Sequence, residues 1–350
     1  MKIGIVFHKN PFAPPAGIDL VRLRALAGGL IKAGIQAEVI SPVEKAGMID
    51  DTIPVKPIEV LNGRSSYDLV KTSYHFSIEL IGNYQGPVVS RIVRVVDHEL
   101  PERDEPFRQR LMDCQGIIRQ RSSALVLNNR ENEARWRNLY GPEPRLVLVP
   151  NGCPAIIPAS GGNPYGRDEV PILFLGSVAA PRMVRILNEA ADGLRDRARI
   201  HLVGVNKARL YGGDEDCLLN DLIVDHGEMP EYASWDYIRH ARIGIALATG
   251  PHPFDNDVTK IFNYLRGGLP CLSEEPILNN ELIHRTGHGV TFTHDCVDDL
   301  VRKALRLLDN PFTDHRRSVM DFMVQEHSWE TRVQTYVKLF HDLLGGEHQL

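Results

Sequence analysis

The sequence has 350 residues, of which 43% are hydrophobic and 24% are charged, and its formal net charge is −5. This composition is typical of a globular protein large enough for two domains, and the negative charge disfavours nucleic acid as the main partner. No apolar run approaches the roughly 20 residues of a membrane-spanning helix. The five cysteines are odd in number and form no CxxC pair, which favours reduced thiols in a cytoplasm over a disulfide or zinc framework.

The first forty residues predict the start of a doubly wound parallel sheet. An apolar run over residues 2–7 is too short for a signal peptide and indicates a buried strand. A loop over 8–17, a helix over about 19–33 and a second strand over 36–40 follow. Ligands bind such sheets beyond the carboxyl ends of the strands, so we expect the 8–17 loop to face a ligand. The loop has no GxGxxG motif, which gives little support to a dinucleotide.

The run RIVRVVDHELPERDE, residues 91–105, contains the candidate proton-transfer groups. We expect strands over 69–72 and 88–96, so that Asp97 and His98 follow the end of the second. A histidine beside carboxylates can carry a proton or hydrogen-bond a sugar hydroxyl. The alternative is a charged, solvated loop.

The next segment predicts the end of the first domain. A helix over 106–121 has an apolar side and a basic side; it either covers the core with its basic side in water or contacts an anionic membrane. A strand over 124–127, a helix over 132–139 and a strand over 146–150 follow. The polar, Gly- and Pro-rich run PASGGNPYGRD, residues 158–168, predicts a linker.

A second strand–helix series begins after this linker. We expect a strand over 170–175, a loop over 176–181, a helix over 183–192 and a strand over 199–203. Arg182 opens the helix, where it either binds an anionic ligand or is an ordinary surface arginine. A helix over 235–241 and a strand over 243–248 come next.

The run DNDVTKIFNYLRGGLPCLS, residues 255–273, predicts a loop, a short helix, a tight turn and a buried strand. Asp257 or Thr259 can cap the helix, and Gly267 and Gly268 end it. Lys260 in the first turn adds a full positive charge to the partial charge of a helix N-terminus, which favours a phosphate. The alternative is an ordinary helix with polar caps.

Four motifs, in this order, resemble those of GT-B glycosyltransferases, especially glycosyltransferase family 4 and its relatives. LVLVPNG at 146–152 resembles V-x-PNG, and LGSVAAPRMV at 175–184 resembles vGRL-x-x-x-KG. KIFNYLRGGLP at 260–270 resembles the donor-binding motif. SWE at 328–330 resembles the start of the terminal helix, which in this fold crosses back to the first domain.

The resemblance assigns site residues. In the family, two glutamates eight positions apart hold the donor sugar and the ribose; Asp255 and Asn263 occupy these positions, and Asn263 lacks the charge of a carboxylate. Ser177 stands where an arginine is usual and Arg182 where a lysine is, so Arg182 and Lys260 are expected to hold the diphosphate. The residues implied at the donor site are Ser177, Arg182, Asp255, Thr259, Lys260 and Asn263. Gly17 is implied in the acceptor-side loop, with Asp97 and His98 as catalytic groups.

The fold implied by the resemblance is α/β and GT-B, with two Rossmann-like doubly wound domains facing across a cleft. The acceptor side would be residues 1–157 with the returning helix 329–350, and the nucleotide-sugar side would be 168–328. The chain would move a sugar from a nucleotide diphosphate sugar to a hydroxyl of a glycan, lipid-linked or small-molecule acceptor. The reaction is expected to retain configuration and to need no metal and no other cofactor.

Other interpretations stay open at this point. A nucleotide-sugar epimerase has the same fold, and a non-catalytic sugar- or nucleotide-binding protein would suit Ser177 and Asn263 at positions usually charged. We expect a cytoplasmic protein without nucleic-acid partners, with peripheral contact at the inner face of the membrane as the alternative raised by the basic helix.

Overall fold

The computed structural model describes residues 1–13, 17–62, 66–98, 105–208, 217–252, 257–310, 312 and 315–345. The chain divides into two compact units, the first made of Met1–Asn151 with Trp329–Leu350 and the second of Gly152–Ser328. Within the described ranges, the first unit contains an eight-stranded sheet and the second a six-stranded sheet.

The strands are β1 (Lys2–Val6), β2 (Gln36–Ser41), β3 (Gly47–Ile49), β4 (Ile53–Pro57), β5 (Leu69–Thr72), β6 (Val88–Arg91), β7 (Ala124–Leu127), β8 (Arg145–Leu148), β9 (Pro171–Leu175), β10 (Arg199–Val203), β11 (Ile223–Asp225), β12 (Ile243–Ala246), β13 (Cys271–Glu274) and β14 (Gly289–Phe292). The helices are α1 (Gly17–Lys32), α2 (Glu105–Arg121), α3 (Arg130–Tyr140), α4 (Pro181–Leu194), α5 (Glu231–His240), α6 (Lys260–Arg266), α7 (Asn280–Thr286), α8 (Val297–Asp309), α9 (Arg316–His327) and α10 (Trp329–Gly345).

The sheet of the first unit has the order β3-β4-β2-β1-β5-β6-β7-β8. Its pairs are parallel except β3 with β4. The strands are apolar on both faces because both faces are covered: Ile3 and Ile5 pack in the core with α1 and α10, whereas Val6 belongs to the core on the opposite face. Burying each such side chain stabilises the fold by about 1.5–3 kcal/mol.

The helix α10 is part of the first unit, as the sequence predicts, and it packs closely against α1. A Cβ atom at Gly29 of α1 would lie 2.5 Å from Cγ2 of Val333, so a larger residue at this position would push the two helices apart. Val333, Tyr336 and Phe340 of α10 are buried in the core with the residues of β1 and α1.

The sheet of the second unit has the order β11-β10-β9-β12-β13-β14, and all its pairs are parallel. One core lies between the sheet and helices α4 and α8, and another contains residues of α5, α6 and α9. Because β9 comes first in the chain and has β10 on one side and β12 on the other, the direction of the strand order reverses at β9.

The chain from Gly152 to β9 packs on the second unit. Arg266 donates hydrogen bonds to the carbonyls of Pro154 and Ala155, at 2.9 and 2.6 Å. The Tyr165 hydroxyl, within the segment predicted as a linker, donates to the carbonyl of Tyr237 at 2.8 Å. These contacts order a segment whose composition alone indicates flexibility.

The main difference from the predicted elements in the first unit is the hairpin of β3 and β4. Its turn contains Asp50 and Asp51 with φ of 50° and 54°, which aspartate tolerates better than most residues. The predicted strand over 88–96 is shorter, ending at Arg91. None of the helices in the described part of the chain is long and apolar enough to cross a membrane.

Candidate functional site

The strand order of the second unit places one candidate site at the carboxyl end of β9. In open parallel sheets, ligands bind between two neighbouring strands that are followed by chain on opposite faces of the sheet. The strands β9 and β12 are such a pair. The loop from Gly176 to Ala180 follows β9 and leads into α4. Lys260, at the start of α6, extends to the same place.

Lys260 lies against β9 and the loop that follows it. Its Nζ is 3.7 Å from the centre of the Phe174 ring, a cation–π contact. A Cβ atom at Gly176 would lie 4.0 Å from its Cε. The side chain is half-buried, and no described residue forms a hydrogen bond or an ion pair with its ammonium group. An ammonium group in this position favours an anionic ligand.

Burial lowers the pKa of Lys260 to about 7. Desolvation disfavours the charged form of a lysine, and no carboxylate in the described ranges offsets it. A phosphate bound beside the ammonium group would reverse this shift, because it would stabilise the charged form.

Two glycines keep the backbone of the β9–α4 loop close to the end of β10. Gly176 has φ of 99° and Gly204 has φ of 153°, conformations that residues with a Cβ atom rarely adopt. A Cβ atom at Gly204 would lie 2.0 Å from the carbonyl oxygen of Gly176, so the loop can occupy this place only with glycine at 204.

Tyr264 attaches α6 to the end of β9. Its buried hydroxyl accepts a hydrogen bond from the Leu175 amide at 2.8 Å and donates to the Ile245 carbonyl at 3.1 Å. A Cβ atom at Gly244 of β12 would lie 2.6 Å from its ring, so the sheet approaches the ring closely. Tyr264 is part of the sequence motif, but its hydrogen bonds depend on the order of the strands in the sheet.

The Arg182 side chain is held by acidic groups of the second unit. Its guanidinium group donates to both carboxylate oxygens of the buried Glu274, at 2.6 and 3.0 Å, to Asp295 at 3.2 Å and to the Ala248 carbonyl. Burial disfavours the charged form, but the hydrogen bonds to Glu274 more than offset it and raise the pKa of Arg182 above its usual value. A diphosphate at Arg182 would have to share the guanidinium with Glu274, and its role as a donor ligand stays a prediction.

Of the other predicted donor residues, the structure describes Ser177, Thr259 and Asn263. Asn263 lies one turn beyond Lys260 along α6 and is half-buried, and its side-chain amide bonds to no described residue. Thr259 is the residue before the helix and makes no side-chain capping bond, while Asp257 accepts a hydrogen bond from Asn279 at 2.9 Å. Ser177 is half-buried in the β9–α4 loop. Asp255 lies outside the described residues.

The first unit holds the predicted catalytic residues beyond the end of β6. Asp97 forms an ion pair with Arg135 of α3, and both side chains are largely buried. The Gln115 side chain accepts from the Val96 amide at 2.7 Å and donates to the Val96 carbonyl at 2.8 Å, which holds this segment in place. His98, the next residue after Asp97, is exposed. Gly17 is the first residue of α1.

An aromatic cluster that we did not predict lies at the ends of β1 and β5, where the strand order of the first unit reverses. The His8 ring stacks on Tyr74 with 5.0 Å between ring centres and meets Phe76 edge-on at 5.9 Å. Burial, followed by the charge of Lys9, lowers the pKa of His8 to about 4. His8 is therefore neutral near pH 7 and can accept or donate a hydrogen bond. The only sequence signal was its place in the 8–17 loop.

No protein-family model matches the sequence, and no curated protein matches it. Solved structures do match along nearly the whole chain. Sucrose-phosphate synthase from Thermosynechococcus elongatus is 14% identical, with a TM-score of 0.75 over 99% of both chains. HepE from Anabaena, in complex with UDP and glucose, is 13% identical, with a TM-score of 0.76 over 97% of this chain and 99% of that one. AviGT4, a glycosyltransferase involved in avilamycin A biosynthesis, is 17% identical, with a TM-score of 0.64 over 99% of this chain and 98% of that one.

The chain therefore has the GT-B fold, with two Rossmann-like units and a terminal helix that belongs to the first. The fold predicted from the sequence motifs is confirmed.

Proposed function

We propose that this chain is a glycosyltransferase that binds a nucleotide diphosphate sugar at the carboxyl end of β9 in its second unit. The observation that carries the proposal is the half-buried ammonium of Lys260, which contacts Phe174, lies beside Gly176 and has no anionic partner among the described residues. A diphosphate supplies the missing negative charge. The GT-B fold and the ordered sequence motifs support the same function.

Uridine diphosphate is the donor nucleotide that we propose. The HepE structures contain UDP and UDP-glucose, and a structure of a TarM variant contains UDP with α-GlcNAc-glycerol and fondaparinux. These ligands belong to those proteins, and they define the first compounds to test here. We assign to Asn263, one helical turn from Lys260, a hydrogen bond to a hydroxyl of the donor.

We assign departure of the diphosphate to Lys260, whose positive charge stabilises the negative charge that develops when the bond to the sugar breaks. Arg182 can share in this only if its guanidinium group turns partly from Glu274. In our proposal the reaction retains configuration and uses no metal, since protein cations supply the positive charge.

We place the acceptor, a hydroxyl of a glycan, a lipid-linked sugar or a small molecule, on the first unit. Asp97, His98 and the His8–Tyr74 pair lie beyond the ends of neighbouring strands there. Aromatic rings can pack on the apolar face of a sugar, and polar groups beside them fix its orientation.

Calorimetry with UDP and with uridine tests the donor site. Lys260→Met keeps the contact with Phe174 but removes the charge, so it should weaken UDP binding by about 1.5–3 kcal/mol and leave uridine binding unchanged. Arg306→Gln, an exposed cation on α8 of the same unit, is the matched control. Equal UDP affinity in all three proteins would place the diphosphate elsewhere.

A product assay separates transfer from two other functions. The internal bonds of Arg182 and the uncharged Asn263 favour, as a second candidate, a protein that binds the nucleotide without turnover. Incubation with UDP-sugars, with and without acceptors, should give a glycosylated product only when an acceptor is present. A changed donor without acceptor would indicate an epimerase, and unchanged donor with tight UDP binding would indicate the binding protein.

A further inference from the structure

The first unit contains a small cavity lined by four cationic side chains. The cavity has a volume of about 20 Å³, and the four cations are Arg22, Lys71, Arg91 and Arg332. They come from four elements, α1, β5, β6 and α10. Tyr336 of α10 also lines it.

The sheet register brings the two innermost cations together. Lys71 of β5 pairs with Val89 of β6, and Arg91 lies two residues further along β6. Residues two apart on a strand point to the same face, so Lys71 and Arg91 share the face on which Val89 packs with the α1 and α10 core. Each residue is only 2% exposed.

These two cations are poorly compensated. The Lys71 ammonium donates to the Ser73 hydroxyl at 3.1 Å, and Nη1 of Arg91 is buried without a hydrogen-bond partner in the described part of the molecule. No described carboxylate forms an ion pair with either. The nearby Asp19 is shared by Lys9 and Arg22, at 3.1 and 3.3 Å. Burying cations in this way is costly unless an anion accompanies them.

We propose that this cavity is a binding site for one compact oxyanion of the phosphate class. A guanidinium group beside an ammonium group matches the oxygens of phosphate, and Arg91 Nη1 supplies a donor that is not otherwise used. The cavity is too small for a nucleotide, whereas the closely spaced oxygen atoms of a single phosphate fit within it. This site is on the first unit and is separate from the proposed donor site around Lys260.

If the cavity binds an anion, the stability of the first unit should depend on that anion. Binding would neutralise charge beneath α1 and α10 and so strengthen the attachment of both helices to the sheet. Burial, followed by the charges of Arg91 and Arg22, lowers the pKa of Lys71 well below its usual value. The anion would restore its charged form.

Calorimetry and thermal melting of the full chain with inorganic phosphate, at constant ionic strength, test the proposal. Lys260→Met serves as the starting protein, so that phosphate at the donor site does not contribute. We expect saturable binding and a rise in melting temperature. A second series with glycerol phosphate distinguishes a free ion from the phosphate group of an organic ligand: binding of inorganic phosphate alone indicates the first, and binding of both indicates the second.

Two variants in this background locate the site. Lys71→Met should abolish phosphate binding and raise the melting temperature in phosphate-free buffer, because it replaces a buried amine by an apolar side chain. Arg22→Gln should weaken binding about tenfold or more, the effect of losing one charged hydrogen bond. Arg24→Gln, on the same helix but exposed and paired with Asp50, is the matched control and should bind normally. Absence of phosphate binding in the starting protein, or equal affinity in Arg22→Gln and Arg24→Gln, would overturn the proposal.

Discussion

At the scale of single residues, Lys260 shows how the surroundings of a side chain set its chemistry. A lysine in water keeps its proton up to about pH 10, but here the half-buried Lys260 side chain lies beside Gly176 with its ammonium against the Phe174 ring. Its pKa of about 7 makes the charged and neutral forms similar in population near neutral pH. The charge that would hold a diphosphate is therefore only half present in the protein without ligand.

This pKa gives a pH dependence to ligand binding. A diphosphate requires the charged lysine, so above pH 7 binding must take up a proton. We expect UDP affinity to fall by up to about tenfold per pH unit above pH 7. Below pH 7 the affinity should level off, until the terminal phosphate of UDP is protonated at about pH 6. Calorimetry in two buffers of different ionisation enthalpy measures both the affinity and the proton uptake. Lys260→Met should show neither effect; a wild-type affinity that stays constant as the pH rises above 7 would contradict the assignment.

The same shift also affects the stability of the protein without ligand. The unfolded chain keeps the Lys260 proton up to about pH 10.5, whereas the folded chain loses it above about pH 7. The unfolded state binds more protons in this window, so the contribution of Lys260 to the free energy of unfolding rises with pH from about 7 to 10.5. Below pH 7 the cost of burying the charge is present in full.

Asp97 and His98 can be tested apart from nucleotide binding. They belong to the first unit, so Asp97→Asn and His98→Ala should leave UDP affinity nearly unchanged. At least one should lower turnover by about 10²-fold or more, the scale for loss of a proton-transfer or positioning group. Asp113→Asn, an exposed carboxylate on α2, is the control in calorimetry and product assays. Wild-type turnover in both variants would leave Asp97 with a structural role, in its ion pair with Arg135, and His98 as a solvated residue.

Asp97→Asn needs one further measurement. The change weakens the ion pair with the largely buried Arg135 and so can lower stability. Its melting temperature should be recorded with its turnover, so that loss of folded protein is not counted as loss of catalysis.

At the scale of elements, the sequence predicts the buried strands and helices, but not the features that depend on which segments of the chain pair with each other. Strands such as β1 and β7 were predicted closely because they are mostly apolar and a polar residue follows each of them within two positions. The β3–β4 hairpin was not, since its strands are short and its turn uses two aspartates with positive φ. The bonds of Arg182 to Glu274 could not be predicted, because they join α4 to the end of β13, 92 positions away.

The residues of the candidate site likewise divide into those that the sequence predicts and those that only the sheet order reveals. Lys260 was predicted because its charge, the helix start and the family motif agree. Tyr264 was not assigned a role, since its hydroxyl bonds to backbone groups of β9 and β12, whose adjacency only the sheet order reveals. The His8–Tyr74 stack joins residues from the ends of two strands that are distant in sequence.

Gly204 offers a test of the β9–α4 loop. Gly204→Ala would place a Cβ atom against the Gly176 carbonyl and strain a backbone with φ of 153°, so we expect it to destabilise the second unit and weaken UDP binding. The strain alone should cost about 1–3 kcal/mol. Denaturant unfolding and calorimetry measure the two effects.

Gly116→Ala is the matched control for this change. Gly116 lies within α2, and a Cβ atom added there would meet no described side chain within 4 Å, so alanine should be neutral or stabilise the protein by about 0.5–1 kcal/mol. If Gly204→Ala behaves like this control, the close approach of the two glycines does not constrain the loop.

At the scale of the whole molecule, the two units share a type of sheet but differ in their charged sites. In the second unit, the side chain of Lys260 at the start of α6 lies beside the end of β9. In the first unit, the four-cation cavity lies beneath α1 and α10. In the proposed reaction, protein cations replace the divalent metal that many diphosphate-binding enzymes use. Independence from a metal is a property of the whole reaction, so it is tested by measuring sugar transfer.

Transfer should persist with excess EDTA. In the proposed reaction Lys260 would supply the positive charge where the diphosphate leaves, so no metal would be needed to stabilise that group. Product formation is measured with and without chelator, and with manganese or magnesium added back. Complete loss in EDTA, restored by either metal, would show that the reaction depends on the ion.

The placement of α10 has a consequence for how the protein is made. The ribosome produces the strands and α1 of the first unit, then the entire second unit, and only then Val333, Tyr336 and Phe340, which complete the core beside β1. The second unit is one continuous segment and can fold as soon as it emerges, whereas the first must wait with part of its apolar surface uncovered. Synthesis usually favours folding of the N-terminal domain first. In this chain, the half that is begun first is finished last, and its exposed core is what a chaperone would encounter during translation.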